Sequence, residues 1–227
     1  MNNGILSASL FQYASNFFDR ELECILCECI NIYHLMISKR TMFKNDEETI
    51  RDGFMCYLKD DIYKNAHSPL DKYQFDKEVE DGKGRLDIRI LNVNPYKGDK
   101  AFYSIECKRL DNNYKNGISG LNFKYIKDGM CRYISGYYST YYDTNVMFGF
   151  VVEQMDITKN IDNINALLPV SFFNQQNELV NANTVQPLQY FDFANGYPFS
   201  YMSKHTHKSG KEITLYHLMF DFSNSIQ

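Results

Sequence analysis

Proline is scarce in this chain, 5 in 227 residues, and basic side chains are not in excess. With charged residues at 23%, so little proline argues against a disordered protein. The formal net charge of -4 argues against unaided, strong gripping of DNA through its phosphates, and leaves a local basic patch, a metal-dependent contact or help from a partner for that task. No run of about 18 uncharged apolar residues occurs, so no membrane span is expected. The N-terminus has no basic stretch followed by an apolar one, so no secretory signal is expected. The 6 cysteines therefore read as reduced thiols of a cytoplasmic protein. Cys24, Cys27 and Cys29 cluster, but no second cysteine pair follows at zinc-ribbon spacing. They fall inside an expected helix from Glu21 to Ser38 and read as small buried hydrophobes. No internal repeat or low-complexity linker divides the chain.

Hydrophobic residues make up 44%, with 18 Tyr and 17 Phe, enough for a sizeable core in one α/β domain. Residues 7–38 read as mostly helical. Asn45-Asp46-Glu47-Glu48 reads as a helix start, followed by Ile50, Phe54, Tyr57 or Leu58, and Ile62 at helical spacing. Ser68-Pro69 marks a break, Tyr73 to Glu80 a first strand, and Asp81-Gly82-Lys83-Gly84 a turn. A polar loop from Asp111 to Gly120 leads into an expected helix from Asn122 to Tyr142. Asn145 to Glu153 suits a buried strand, Ile157 to Leu167 a helix, and Lys211 to Phe222 a final strand after a turn at Ser209-Gly210. Residues 170–200 carry no clear pattern.

Gly84-Arg85-Leu86-Asp87-Ile88-Arg89-Ile90 and Tyr103-Ser104-Ile105-Glu106-Cys107-Lys108 alternate polar and apolar residues with period two. Between them lie the turn formers Asn94-Pro95-Tyr96-Lys97-Gly98-Asp99. A hairpin centred between Tyr96 and Lys97 sets Asp87 opposite Glu106, where Cβ atoms stand about 4.5–5.5 Å apart. Lys108 points to the side of Glu106, whereas Leu86, Ile88, Ile90, Tyr103, Ile105 and Cys107 point into a core. Two opposed carboxylates repel, and a divalent metal is a natural neutralising partner. Arg85 and Arg89 flank Asp87 and offer the competing reading, an ordinary salt-bridged surface.

The order helix, strand, hairpin, helix, strand, with Gly84-Arg85-Leu86-Asp87-Ile88 and Glu106-Cys107-Lys108 on the hairpin, resembles the PD-(D/E)xK nuclease superfamily. Leu86 stands where the family name has proline. The resemblance implies a restriction-endonuclease-like central mixed β-sheet flanked by helices. Residues 45–153 would be its core, 1–40 an additional N-terminal helical segment, and 154–227 the completion of the sheet, all in one domain. It implies Mg²⁺, with Mn²⁺ as substitute, held by Asp87, Glu106, the Cys107 backbone carbonyl and Glu47. Glu47 is preferred to Glu48 because it precedes Ile50 by three and Phe54 by seven, on the inward face of its helix. Without the resemblance both are first-turn acids favoured by the helix dipole. Lys108 would orient the attacking water and oppose charge developing on the phosphate. Lys124 and Lys127 would share a helix face, diluted by Asp128; the segment reads as an amphipathic core helix with solvated lysines or as a weak basic patch in which Arg132 with Tyr125 and Tyr133 contacts phosphates and sugars. Ser203-Lys204-His205-Thr206-His207-Lys208 is a small basic loop whose His-x-His could bind metal, but with no acidic partner nearby it reads as a polar hairpin or a phosphate-facing loop, with His205 the candidate contact.

The expected function is a metal-dependent endonuclease acting on DNA, with RNA left open. No separate sequence-reading module is visible, so specificity would come from loops, a homodimer, or a larger complex. Such chains resemble effectors of prokaryotic restriction or antiviral defence. The alternative is a catalytically silent nuclease-fold subunit used for binding or assembly.

Overall fold

The computed structural model describes residues 13–81, 84–93, 102–138, 143–174, 177–193 and 196–227, with side chains from Arg20 onward. The expected turns at Asn94–Asp99 and Gly82–Lys83, and residues 7–12 of the expected first helix, lie outside the described residues.

A seven-stranded mixed sheet lies between two helical layers. Its strands are β1 (Tyr73–Asp81), β2 (Gly84–Asn92), β3 (Phe102–Leu110), β4 (Thr144–Val151), β7 (Thr184–Tyr190), β8 (Ser200–Thr206) and β9 (Glu212–Asp221). They stand in the order β1-β2-β3-β4-β9-β8-β7. β3, β4 and β9 run parallel in the centre, and the outer pairs are antiparallel. The β5 (Phe172–Phe173) and β6 (Leu179–Val180) strands form a separate hairpin.

Alternation along the central strands builds two cores. Val146, Phe148 and Phe150 of β4 face one, with Ile105 and Cys107 of β3 and Leu218 and Phe220 of β9. That core is covered by α1 (Tyr13–Ser38) and α2 (Glu47–Leu58). Phe54 of α2 is fully buried, with ring centroids 5.0 Å from Phe220 and 5.4 Å from Phe148. Truncating such a ring costs about 3–5 kcal/mol. Met147, Val151, Leu215 and Met219 face the second core. It is covered by α4 (Leu121–Tyr125), a π-helical turn (Ile126–Met130), α5 (Cys131–Ile134) and α6 (Ile157–Leu167).

Local chemistry sets the ends that matter. Asp46 caps α2 by accepting from the Thr49 amide at 2.7 Å, with Glu47 and Glu48 in the first turn. α2 stops at Leu58, so Ile62 belongs to the short α3 (Asp61–Ala66) and is 83% exposed. The single helix expected over 122–142 is interrupted by the π-turn and ends at Ile134. Gly136, at φ +62°, then turns the chain, and the Arg132 carbonyl accepts from the amides of Tyr137 and Tyr138. Residues 139–142 lie outside the described ones. Cys24, Cys27 and Cys29 lie on α1, but of the three expected buried thiols Cys29 alone is buried, Cys27 is half-buried and Cys24 exposed; all six cysteines are unpaired. Among the described residues no helix is long and apolar enough to cross a membrane.

Candidate active site

The pairs Ile88–Ile105, Arg89–Ser104, Ile90–Tyr103 and Leu91–Phe102 set a register whose next step puts Asp87 opposite Glu106. There the Asp87 carboxylate accepts the Cys107 backbone N–H at 2.8 Å. One expectation fails at this point. Leu86 belongs to the second core, not to the first with Ile88 and Ile90. On the neighbouring strand the pairing passes from Lys77–Ile88 to Val79–Leu86, skipping Glu78, whose φ is +55°. A left-handed residue opposite Asp87 interrupts the pleat, so alternation does not carry across it.

Lys108 Nζ sits at the centre of the polar side chains. It lies 2.7 Å from Glu106 Oε1, 2.8 Å from the Cys107 carbonyl, 3.1 Å from Glu47 Oε2 and 4.0 Å from Asp87 Oδ2. The cluster has a floor and a lip: side-chain exposure rises from 0% at Glu106 through 12% at Lys108 and 21% at Asp87 to 38% at Glu47. At the floor, Arg132 Nη1 donates to Glu106 Oε1 at 2.7 Å and to the Tyr138 hydroxyl at 2.6 Å. The Tyr138 hydroxyl is 2.9 Å from both Glu106 Oε2 and the Arg85 carbonyl. Arg51 of α2, one turn beyond Glu47, places Nη1 3.5 Å from Asp87 Oδ1 and also pairs with Glu78 and Asp52.

Three carboxylates thus face three cations: Glu47, Asp87 and Glu106 against Lys108, Arg132 and Arg51. Burial pushes the Glu106 carboxyl up to about 7, and the Asp87 charge adds to this against the pull of Lys108 and Arg132. Burial opposes the Lys108 charge, but Glu106, Glu47 and Asp87 outweigh it and hold the ammonium above the ordinary lysine value.

Asp87, Glu106, Lys108, Cys107 and Glu47 therefore come together at one place, while Glu48 is exposed on the other side of α2. Arg85 and Arg89 do not neutralise Asp87. They pair with Glu78 and Asp76, and Arg51 takes that role. Arg132, expected on phosphates, is committed through Nη1 to Glu106. Tyr125 and Tyr133, expected beside it, are buried. Lys124 is exposed on α4. Arg51 and Tyr138 were not expected. Arg51 was findable as the inward residue four beyond Glu47, but Tyr138 reaches Glu106 only because the chain turns at Gly136.

His205 is a second correction. It is fully buried on β8, in a hydrogen-bonded chain away from any phosphate-facing loop. Its Nδ1 is 2.7 Å from the Ala182 carbonyl and must donate there. Its Nε2 then accepts from the Ser203 hydroxyl at 2.7 Å. Ser203 Oγ in turn accepts from His217 Nε2 at 2.7 Å, and the Tyr125 hydroxyl donates to His217 Nδ1 at 2.8 Å. Every group is satisfied with both imidazoles neutral. Burial lowers the His205 pKa to about 4 and places that of His217 well below its ordinary value.

Among the described residues no three His, Cys, Asp or Glu side chains form a ready-made metal cage. The reason is visible in the geometry: Glu47 and Glu106 aim at the Lys108 ammonium, and Asp87 at the Cys107 amide and Arg51. The donor set around that ammonium, carboxylates plus one backbone carbonyl, is nevertheless of the hard-oxygen kind that Mg²⁺ or Mn²⁺ takes. Comparison with protein-family models, curated proteins and solved structures finds no match to this chain.

Proposed function

We propose that this chain is a metal-dependent phosphodiesterase of restriction-endonuclease-like fold that cuts nucleic acid. The observation that carries the reading is the set of oxygens around Lys108 Nζ, drawn from α2, β2 and β3. Glu47, Asp87, Glu106 and the Cys107 carbonyl would hold Mg²⁺ or Mn²⁺. The cation would supply Lewis-acid polarisation of the phosphate and a more acidic water. Lys108 has a long, flexible stem, so its ammonium can leave the centre and still reach the lip of the site. There it donates to the attacking water and opposes the negative charge that builds on the phosphate. Arg132 and Tyr138 hold Glu106 at the floor, and Arg51 holds Asp87. DNA is the substrate the resemblance implies, and restriction or antiviral defence, as a homodimer or within a larger complex, its setting.

The test is cleavage of supercoiled plasmid and of a structured RNA by the purified chain with Mg²⁺ or Mn²⁺, with and without EDTA. We expect metal-dependent nicking that EDTA abolishes. Intact plasmid and RNA under every metal would remove the reading. One observation favours a second reading, a catalytically silent subunit: each carboxylate already has an internal cation, so the cluster is balanced as it stands. Calorimetry with Mn²⁺ separates the two, since a closed salt-bridge network takes up no metal.

A further inference from the structure

On the other side of Arg132 from Glu106 the chain leaves a small, half-open niche of about 40 Å³. Lys127, Asp128, Arg132 and Tyr137 line it on one side and Phe172 and Asn174, from the β5–β6 hairpin, on the other. Arg132 is the wall shared with the candidate active site, because its guanidinium also holds Glu106. The Lys127 ammonium lies over the Phe172 ring, 5.6 Å from its centroid.

This lining suits a ligand with a flat π-face, an anionic group and a hydrogen-bond donor at its edge. An apolar ligand would leave two cations unused, and a bare anion would leave the rings unused. We infer that this niche, widened when the Lys127 side chain swings off Phe172, takes the base of an unpaired nucleotide next to the phosphate to be cut, so that the substrate is single-stranded or locally opened nucleic acid. The inference rests on the nuclease reading above. An exposed cation–π contact is worth less than stacking of a base on an aromatic ring. The base therefore displaces the Lys127 ammonium from Phe172, and the freed ammonium turns to the phosphate. Arg132 presents its remaining donors to the same phosphate, and the Asp128 carboxylate accepts from an amino group on the base edge. A base inside a duplex presents no free face to Phe172, which is why pairing excludes it.

The test is fluorescence anisotropy in EDTA with three probes: a single-stranded oligodeoxyadenylate, the same strand annealed to its complement, and oligoriboadenylate. Binding is thereby read without cleavage and without metal. Wild type should hold single strands about tenfold or more tighter than duplex, and Phe172→Leu, which keeps apolar bulk but removes the ring, should lose about tenfold on single strands alone. Lys127→Ala, an exposed change with no folding risk, should weaken the same probes. The two oligonucleotide chemistries tell DNA from RNA. Equal affinity for strand and duplex, or single-strand affinity untouched by both substitutions, overturns the subsite. Duplex cleavage that ignores Phe172→Leu also removes the subsite and leaves the nuclease reading. Single-strand preference with no cleavage under any metal removes the nuclease reading and leaves the subsite.

Discussion

The carboxylate cluster of α2, β2 and β3 and the histidine chain of β8 and β9 are both buried polar assemblies, yet one is ionic and the other neutral. The histidine chain is sealed: Tyr125, His217, Ser203, His205 and the Ala182 carbonyl each find a partner, and nothing is left to give away. The carboxylate cluster is closed only at its floor. At its lip Glu47 is paired with an ammonium on a flexible stem, a partner that another cation can replace. Satisfied neutral hydrogen bonds make a fixed strut, whereas balanced charges beside solvent make an exchangeable one.

The largest effect should follow from removing a charge at the ionic cluster while keeping its shape. Asp87→Asn retains an oxygen for the Cys107 amide, and Glu106→Gln retains one for Lys108 and Arg132. Both should bring metal-dependent cleavage to the detection limit, with circular dichroism still that of a folded chain. Full cleavage by both variants would move the chemistry elsewhere. Lys108→Ala should come next, lowering turnover on the order of 10²–10³-fold. Mn²⁺ affinity, read by calorimetry on the same preparation, should hold or rise, because a competing cation has gone. Wild-type rates in this variant would make the lysine part of a salt bridge and nothing more.

The histidine chain should respond in stability and not in cleavage. Ser203→Ala leaves the acceptor of His205 and the donor of His217 facing each other without a bridge, at a cost of about 1–3 kcal/mol for each buried group left unsatisfied. For a chain of this size each kcal/mol lowers Tm by about 2–4 °C. Calorimetric melting checks this, and an unchanged Tm would show that the chain of hydrogen bonds is not a strut.

The smallest effect is in pH. His205, at about 4 in the fold against an ordinary 6.5, is neutral where the unfolded chain starts to take protons. The contribution is complete above pH 6.5 and is lost as pH falls from there towards 4. His205→Asn should flatten that part of the stability profile in urea midpoints measured across the window. A profile as steep as wild type would assign the acid loss to other groups.

The hairpin register was legible because polar and apolar residues alternate on both strands and only one turn centre lies between them. Glu47 was legible from its spacing to Ile50 and Phe54. His205 was misread because the polar and basic run 203–208 resembles a solvent-facing loop, whereas Ser200–Thr206 is a strand. Tyr201, Ser203 and His205 in fact face inward, and only their partners on β9 and α4 reveal it. β7 was missed because it is an edge strand, interrupted by Pro187, with register shifts and mostly exposed side chains. Tyr138 depends on a backbone turn that periodicity does not encode.

The π-turn at Ile126–Met130 sets the angular phase of everything after it. A helix advances about 100° per residue, so the wider turn rotates Arg132 relative to where an unbroken α-helix from Leu121 would aim it. It also brings the Gly129 backbone against the sheet, where a Cβ would meet Met147 at 2.5 Å and Lys108 Cγ at 3.4 Å. Forcing the same residues into an unbroken α-helix would leave composition and charge unchanged, yet would swing the guanidinium off both Glu106 and the neighbouring pocket. The coupling between those two places is thus written in the pitch of a single helical turn.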